Sequence, residues 1–182
     1  ITTDYVYTMD ADGSVDFSAT YTPEGQLPPL PCIGNTFLLD KDMTRLSWYG
    51  QGLQDSYADR LEATGIGRWT SSVDQEYVHY PRPQSSGNHE QTVTLSLTDA
   101  KGRGYTVTTA NATPFAFSAL PYSEHQLSTV AHDCDLHTEN NVFLNIDAAM
   151  MGLGNSSCGP GVLTKYSIPQ KQHSLHVMFK RK

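Results

Sequence analysis

The side chains able to do chemistry in this sequence fall into four groups. Asp55, Asp59, Asp74 and Glu76 crowd one stretch of the chain. Two acids can divide general-acid and general-base work when their surroundings set their pKa values apart. These four fall in loops or at strand starts, where solvation or loop hydrogen bonding is the expected role, and no residue is assigned a catalytic one. His132, Asp133, Cys134, Asp135 and His137 carry metal-ligating atoms. Adjacent residues rarely converge on one ion and this spacing matches no zinc pattern, so the expectation is a polar loop and no metal site. An oxygen-ligated calcium or sodium ion elsewhere stays open. The third group is the glycine-rich MMGLGNSSCGPGV at 150–162. There Asn155, Ser156 and Ser157 offer amide and hydroxyl groups beside Cys158, on backbone able to approach a ligand closely. The fourth is an aromatic middle, Trp48, Tyr49, Tyr57, Trp69, Tyr77 and Tyr80. Alternating strands bury such residues by default, as core or against a neighbouring domain; a ligand-stacking strip is the alternative.

The elements that must position these groups read as short strands. TDYVYTM, the turn DADG and SVDFSATYT form an opening hairpin, with Val15, Phe17, Ala19 and Tyr21 on one face. PEGQLPPLP is proline-rich and reads as an extended connector. NTFLLD and TRLSWYG are strands around DKDM. Residues 50–72 read as loop with one helical turn through YADRLEAT, and VDQEYVHY as a strand ended by PRP. SSGN is a turn, and TVTLSLT and GYTVTT are strands joined by DAKGRG. After PFAFSAL comes one short helix, SEHQLSTVA, where Ser123 can cap and Gln126 stands three residues on. VFLNIDA, TKYSIP and HSLHVMFKR complete the strands, the last with Leu175, Val177 and Phe179 on one face. Ten or more short strands with turns between them predict an antiparallel sandwich or barrel in one domain, 1–182. The absence of alternating strand–helix units argues against a TIM barrel or Rossmann domain.

Composition narrows the function classes. The 182 residues are 38% hydrophobic and 17% charged, with mean hydropathy −0.42, as expected of a globular chain able to bury a core. A formal net charge of −7 argues against nucleic acid and anionic membranes as partners; only Lys180, Arg181 and Lys182 cluster positively. No apolar run reaches the roughly 18 residues of a membrane helix, and ITTDYVYTMD does not read as a signal peptide. Cys32, Cys134 and Cys158 lie far apart, with neither disulfide nor zinc spacing, and read as free thiols.

Four ordered segments carry a family resemblance. WYGQGLQDSYADR (48–60), EYVHYPRPQSSGN (76–88), FSALPYSEHQLSTVAH (117–132) and VFLNIDAAMMGLGNSSCGPG (142–161) resemble stretches of the C-terminal domain of lac-type β-galactosidases of glycoside hydrolase family 2. Leu53, Asp55–Ser56 and Ala58 depart from that pattern, where the family usually has Pro, Glu–Asn and Pro. The resemblance implies a galactose-mutarotase-like antiparallel β-super-sandwich, of which this chain is the later part. It also implies that the upstream strands and a catalytic TIM barrel lie outside this chain. Retaining glycosidases need two carboxyl groups about 5–5.5 Å apart; in the resembled family both are glutamates on that barrel. The chain alone is therefore expected to be inactive.

In the resembled enzymes the loop matching 152–161 reaches the barrel's mouth, and some members stack a Trp on the sugar there. Cys158 stands where that Trp would fall, and a thiol supplies no stacking platform. The resemblance thus implies sugar contact by Asn155, Ser156, Ser157 and Cys158 in an accessory domain, with β-galactosides and the barrel as partners. The parent would be a homo-oligomer in the bacterial cytoplasm or periplasm, with any Mg or Na bound outside this domain and no cofactor in this chain. Two alternatives stay open: an independent carbohydrate-binding module, and a mutarotase-like epimerase using a histidine such as His79, His89 or His132.

Overall fold

The computed structural model describes residues 1–156 and 158–182. Among the described residues, eleven antiparallel strands make two sheets. The larger has seven: β1 (Thr2–Met9), β2 (Val15–Thr22), β11 (His173–Arg181), β8 (Gly104–Thr109), β7 (Thr94–Thr98), β4 (Arg45–Gly52) and β5 (Gly65–Ser72), in that spatial order. The smaller has β3 (Cys32–Asp40), β10 (Asn141–Met150), β9 (Phe115–Leu120) and β6 (His89–Thr92). Two short helices, α1 (Val73–Glu76) and α2 (Glu124–Thr129), and three single 3₁₀ turns accompany them.

The period-two patterns account for the strands. Phe17, Ala19 and Tyr21 of β2, Trp48 of β4, Leu95 and Leu97 of β7 and Val177 of β11 point from the large sheet into one core. Phe115 and Phe117 of β9 with Val142, Leu144 and Ile146 of β10 meet them from the small one. Two faces of alternating apolar residues can leave water only by packing on each other. The turns follow the sequence as well. Gly13 and Gly102 take the left-handed backbone that closes each hairpin. Ser123 caps α2, its hydroxyl accepting from the Gln126 amide at 3.2 Å.

Three segments differ from the sequence reading. GIGRWTSS, within the expected loop, is the edge strand β5: its glycines weaken strand propensity, but pairing along all of β4 overrides it. VDQEYVHY is α1 followed by irregular chain, and TKYSIP holds a 3₁₀ turn at Thr164–Tyr166. Short apolar runs do not distinguish strand from helix by themselves. The helix count is thereby raised from the one expected to two.

The small sheet is covered on both sides. Every residue of β9 is buried. Leu120, on the face away from the main core, packs with Tyr77 and Leu127 of the segments around α1 and α2. This second layer turns part of the small sheet's outer face into an enclosed surface.

Candidate functional site

The loop after β10 is held at its root and presented at its tip. The Asp59 carboxylate accepts from the amides of Leu153 (3.1 Å) and Gly154 (2.8 Å), and the Arg60 guanidinium donates to the Gly154 carbonyl at 3.0 Å. Hydrogen bonds to charged groups are the stronger kind, so two adjacent side chains fix a loop more than ninety positions away. Sequence reasoning gave Asp59 only loop hydrogen bonding, without naming the loop. Gly152 lies between Asp59 and Tyr166, where a Cβ would come within 2.8 Å of the Asp59 carboxyl carbon. Gly154 adopts φ +63°, which a side chain would strain.

The tip is a tight turn. The amides of Cys158 and Gly159 both donate to the Asn155 carbonyl, at 3.0 and 2.6 Å, and the Asn155 amide donates to Pro160 at 2.9 Å. Asn155, Ser156 and Cys158 are therefore brought together at one exposed tip. Ser157, expected in the same group, lies outside the described residues.

The other candidates part company. Glu76, expected to be solvated or hydrogen-bonded within a loop, is buried, and its carboxylate lies 2.5 Å from Nε2 of His89, itself fully buried between Trp48 and Phe117. The correction has a plain cause: α1 turns Glu76 inward, where His89 supplies the partner that offsets the cost of burial. Nδ1 of His89 has no partner among the described residues. The first two resemblance segments are knitted together beside this pair. Asn88 donates to the Ser56 carbonyl at 2.8 Å while the Ser56 amide donates to the Asn88 carbonyl at 2.6 Å, and the Ser56 hydroxyl receives the Glu90 amide at 2.9 Å. Gly87, at φ +69°, sits where a Cβ would collide with the Glu76 carbonyl.

His132 and His137 are exposed on the loop after α2, and Asp133 reaches away from them to Nδ1 of His79 at 2.9 Å. Among the described residues no group of three or more His, Cys, Asp or Glu is placed to hold a metal. Trp48, Tyr57 and Tyr77 are buried and Trp69 packs on the core, whereas Tyr49 and Tyr80 are more exposed. The aromatic middle is thus divided between core and surface and forms no continuous strip.

Among the acids that the sequence did not single out, one lies deepest. Asp147 of β10 is only 4% exposed. Its carboxyl is pushed up to about 7, chiefly by burial and then by the charges of Glu90 and Glu124. Glu90 is itself pushed up to about 7 by burial. The available signal was the alternation of VFLNIDA, which puts Asn145 and Asp147 on the face opposite Leu144 and Ile146.

A two-sheet antiparallel sandwich with one clamped, polar loop is the class of domain these features define. The chain matches the family model for the beta galactosidase small chain over residues 1–179 and belongs to that family. It is 36% identical over 179 residues to β-galactosidase BgaC of Bifidobacterium adolescentis, covering 96% of this chain and 17% of that protein. It is 34% identical over 148 residues to a β-galactosidase of Streptococcus thermophilus (81% and 14%) and 32% identical over 163 residues to one of Kluyveromyces lactis (89% and 16%). The chain thus spans about one sixth of the length of these relatives.

Proposed function

We infer that this chain serves as the accessory sandwich of a lac-type retaining β-galactosidase of glycoside hydrolase family 2, which hydrolyses terminal β-D-galactosides. It braces a TIM-barrel catalytic domain and offers the 152–161 loop to the active centre. The glutamates that cleave the glycosidic bond, and any Mg or Na, belong to the rest of a homo-oligomeric parent. In this role Asn155, Ser156, Ser157 and Cys158 contact the galactoside through amide, hydroxyl and backbone groups.

The observation that carries the reading is the Asp59–Arg60 clamp. A loop needed only to join two segments requires no charged anchor at its root. One that must place a polar tip against a partner does, because misplacement by about 1 Å can cost a hundredfold in rate. Family membership and the relatives' names support the choice of substrate.

The test is made in the full-length protein that contains this chain. Deleting residues 155–159 is expected to lower kcat/KM for a chromogenic β-galactoside by on the order of tenfold or more, with the oligomer intact. Kinetics unchanged by the deletion would refute the loop's role.

A further inference from the structure

Behind the loop root, on the outer face of the small sheet, is a cavity of about 370 Å³, within the roughly 300–1,000 Å³ of small-molecule sites. Its floor is built in two rows by strand register. Thr36, Asn145 and Ser118 lie side by side across β3, β10 and β9. The Thr36 hydroxyl donates to Oδ1 of Asn145 at 2.6 Å, and Nδ2 of Asn145 donates to the Ser118 hydroxyl at 3.1 Å. In the next row Asp147 stands between Gly34 and Ala116. Both neighbours are small, and a Cβ on Gly34 would strike the Asp147 carboxylate. That carboxylate, more than nine-tenths buried, lines the cavity and meets no hydrogen-bonding side chain among the described residues.

We propose that this cavity is a second binding site, separate from the loop tip, for a neutral polyhydroxy ligand of pyranose size, with Asp147 as its principal anchor. Among the described residues the lining includes acids, amides and hydroxyls but no Lys, Arg or His, which disfavours anions. Thr36 and Asn145 are already engaged with each other and with Ser118, yet their oxygens keep lone pairs free. A sugar hydroxyl both donates and accepts, so it can bond this row and the carboxyl group at once. Met150, Met151 and Leu153 add apolar surface to the polar lining, and a pyranose presents the same mixed character through its C–H patch and its hydroxyls. A carboxyl held near neutrality by burial can donate as well as accept, which suits an uncharged partner better than a cation. The Asp147 carboxyl group, facing the cavity without a side-chain partner among the described residues, keeps its hydrogen-bonding capacity available to an occupant.

The proposal does not depend on the loop's role in turnover, and its test reads different atoms. The full-length protein carrying ¹³C-methyl methionine is titrated with D-galactose, D-glucose and myo-inositol to about 100 mM, a range that reveals millimolar dissociation constants. Met150 and Met151 are assigned by Leu substitution. At least one of the three is expected to shift their methyl signals saturably. Asp147→Asn, near-isosteric and uncharged, should keep the affinity within about threefold, while Ser118→Val and Asp147→Leu should weaken it by about tenfold or more. Should Asp147→Leu fail to fold, Ser118→Val and Thr36→Val carry the test. Methyl signals unmoved by all three compounds, or shifts undiminished in Ser118→Val, overturn the proposal. Saturable shifts alongside loop-deletion kinetics equal to the wild type would sink the loop's role and leave this site standing.

Discussion

Glu76 and Asp147 are buried almost equally, at 7% and 4% exposure, yet their surroundings are opposite. Glu76 is satisfied from within the chain: His89 lies 2.5 Å away, and the pair is sealed by Trp48 and Phe117. Asp147 has small neighbours on both flanking strands and faces an open cavity. Burial alone therefore does not separate a structural acid from one available to a ligand. What separates them is whether the fold supplies the partner.

The comparison can be broken in several ways. Glu76→Ala would leave His89 buried with both ring nitrogens unpartnered, and is expected to cost about 4 kcal/mol, read as a shift of the urea midpoint at constant m. A cost below about 1 kcal/mol would mean that the pair contributes little. Gly87→Ala, beside the same pair, adds a clash with the Glu76 carbonyl to an unfavourable φ and should cost about 3 kcal/mol. Gly13→Ala has a similar φ but open space around it, so about 1 kcal/mol is expected. Equal losses at the two glycines would show that the close approach at Gly87 is not needed.

Asp147 should behave in the opposite sense. Its folded pKa is raised from 3.8 to about 7, so the folded chain holds a proton that the unfolded chain releases. Stability is then undiminished below about pH 4, falls as pH rises towards 7, and levels off above it. Glu90, raised to about 7 by burial, contributes in the same window. Asp147→Asn is expected to flatten part of this fall and to stabilise the protein by about 2 kcal/mol at pH 8, with little change at pH 4. Thermal unfolding across pH 4–8 would show it; a pH profile unaltered by the substitution would place Asp147 in better-solvated surroundings. The effect at the loop is smaller than at either buried acid. Asp59→Ala removes two charge-assisted hydrogen bonds at a partly exposed root, costing about 1.5 kcal/mol. Proteolytic nicking between 153 and 161 should accelerate more than global unfolding does.

Much of the fold was legible because period-two alternation and turn residues act locally. The opening hairpin, the 93–109 hairpin, the Ser123 cap and the closing strand follow from residues within a few positions of one another. β5 was not legible: its glycines and the polar residues around Trp69 carry no strand pattern, and its pairing with β4 decides the matter. The candidate site divides in the same way. The glycine-rich loop and its polar tip stand out in the sequence, but the residues that anchor it, Asp59 and Arg60, lie about ninety-five positions away.

The sequence by itself determined an acidic, antiparallel β-sandwich of the beta galactosidase small-chain family, because alternation, turn chemistry and ordered motifs are written in neighbouring residues. Only the tertiary structure decided which acids are solvated, paired or left facing a cavity. That outcome depends on strand register and on which small residues stand opposite, and electrostatic cost is set by the distances that folding creates rather than by position along the chain.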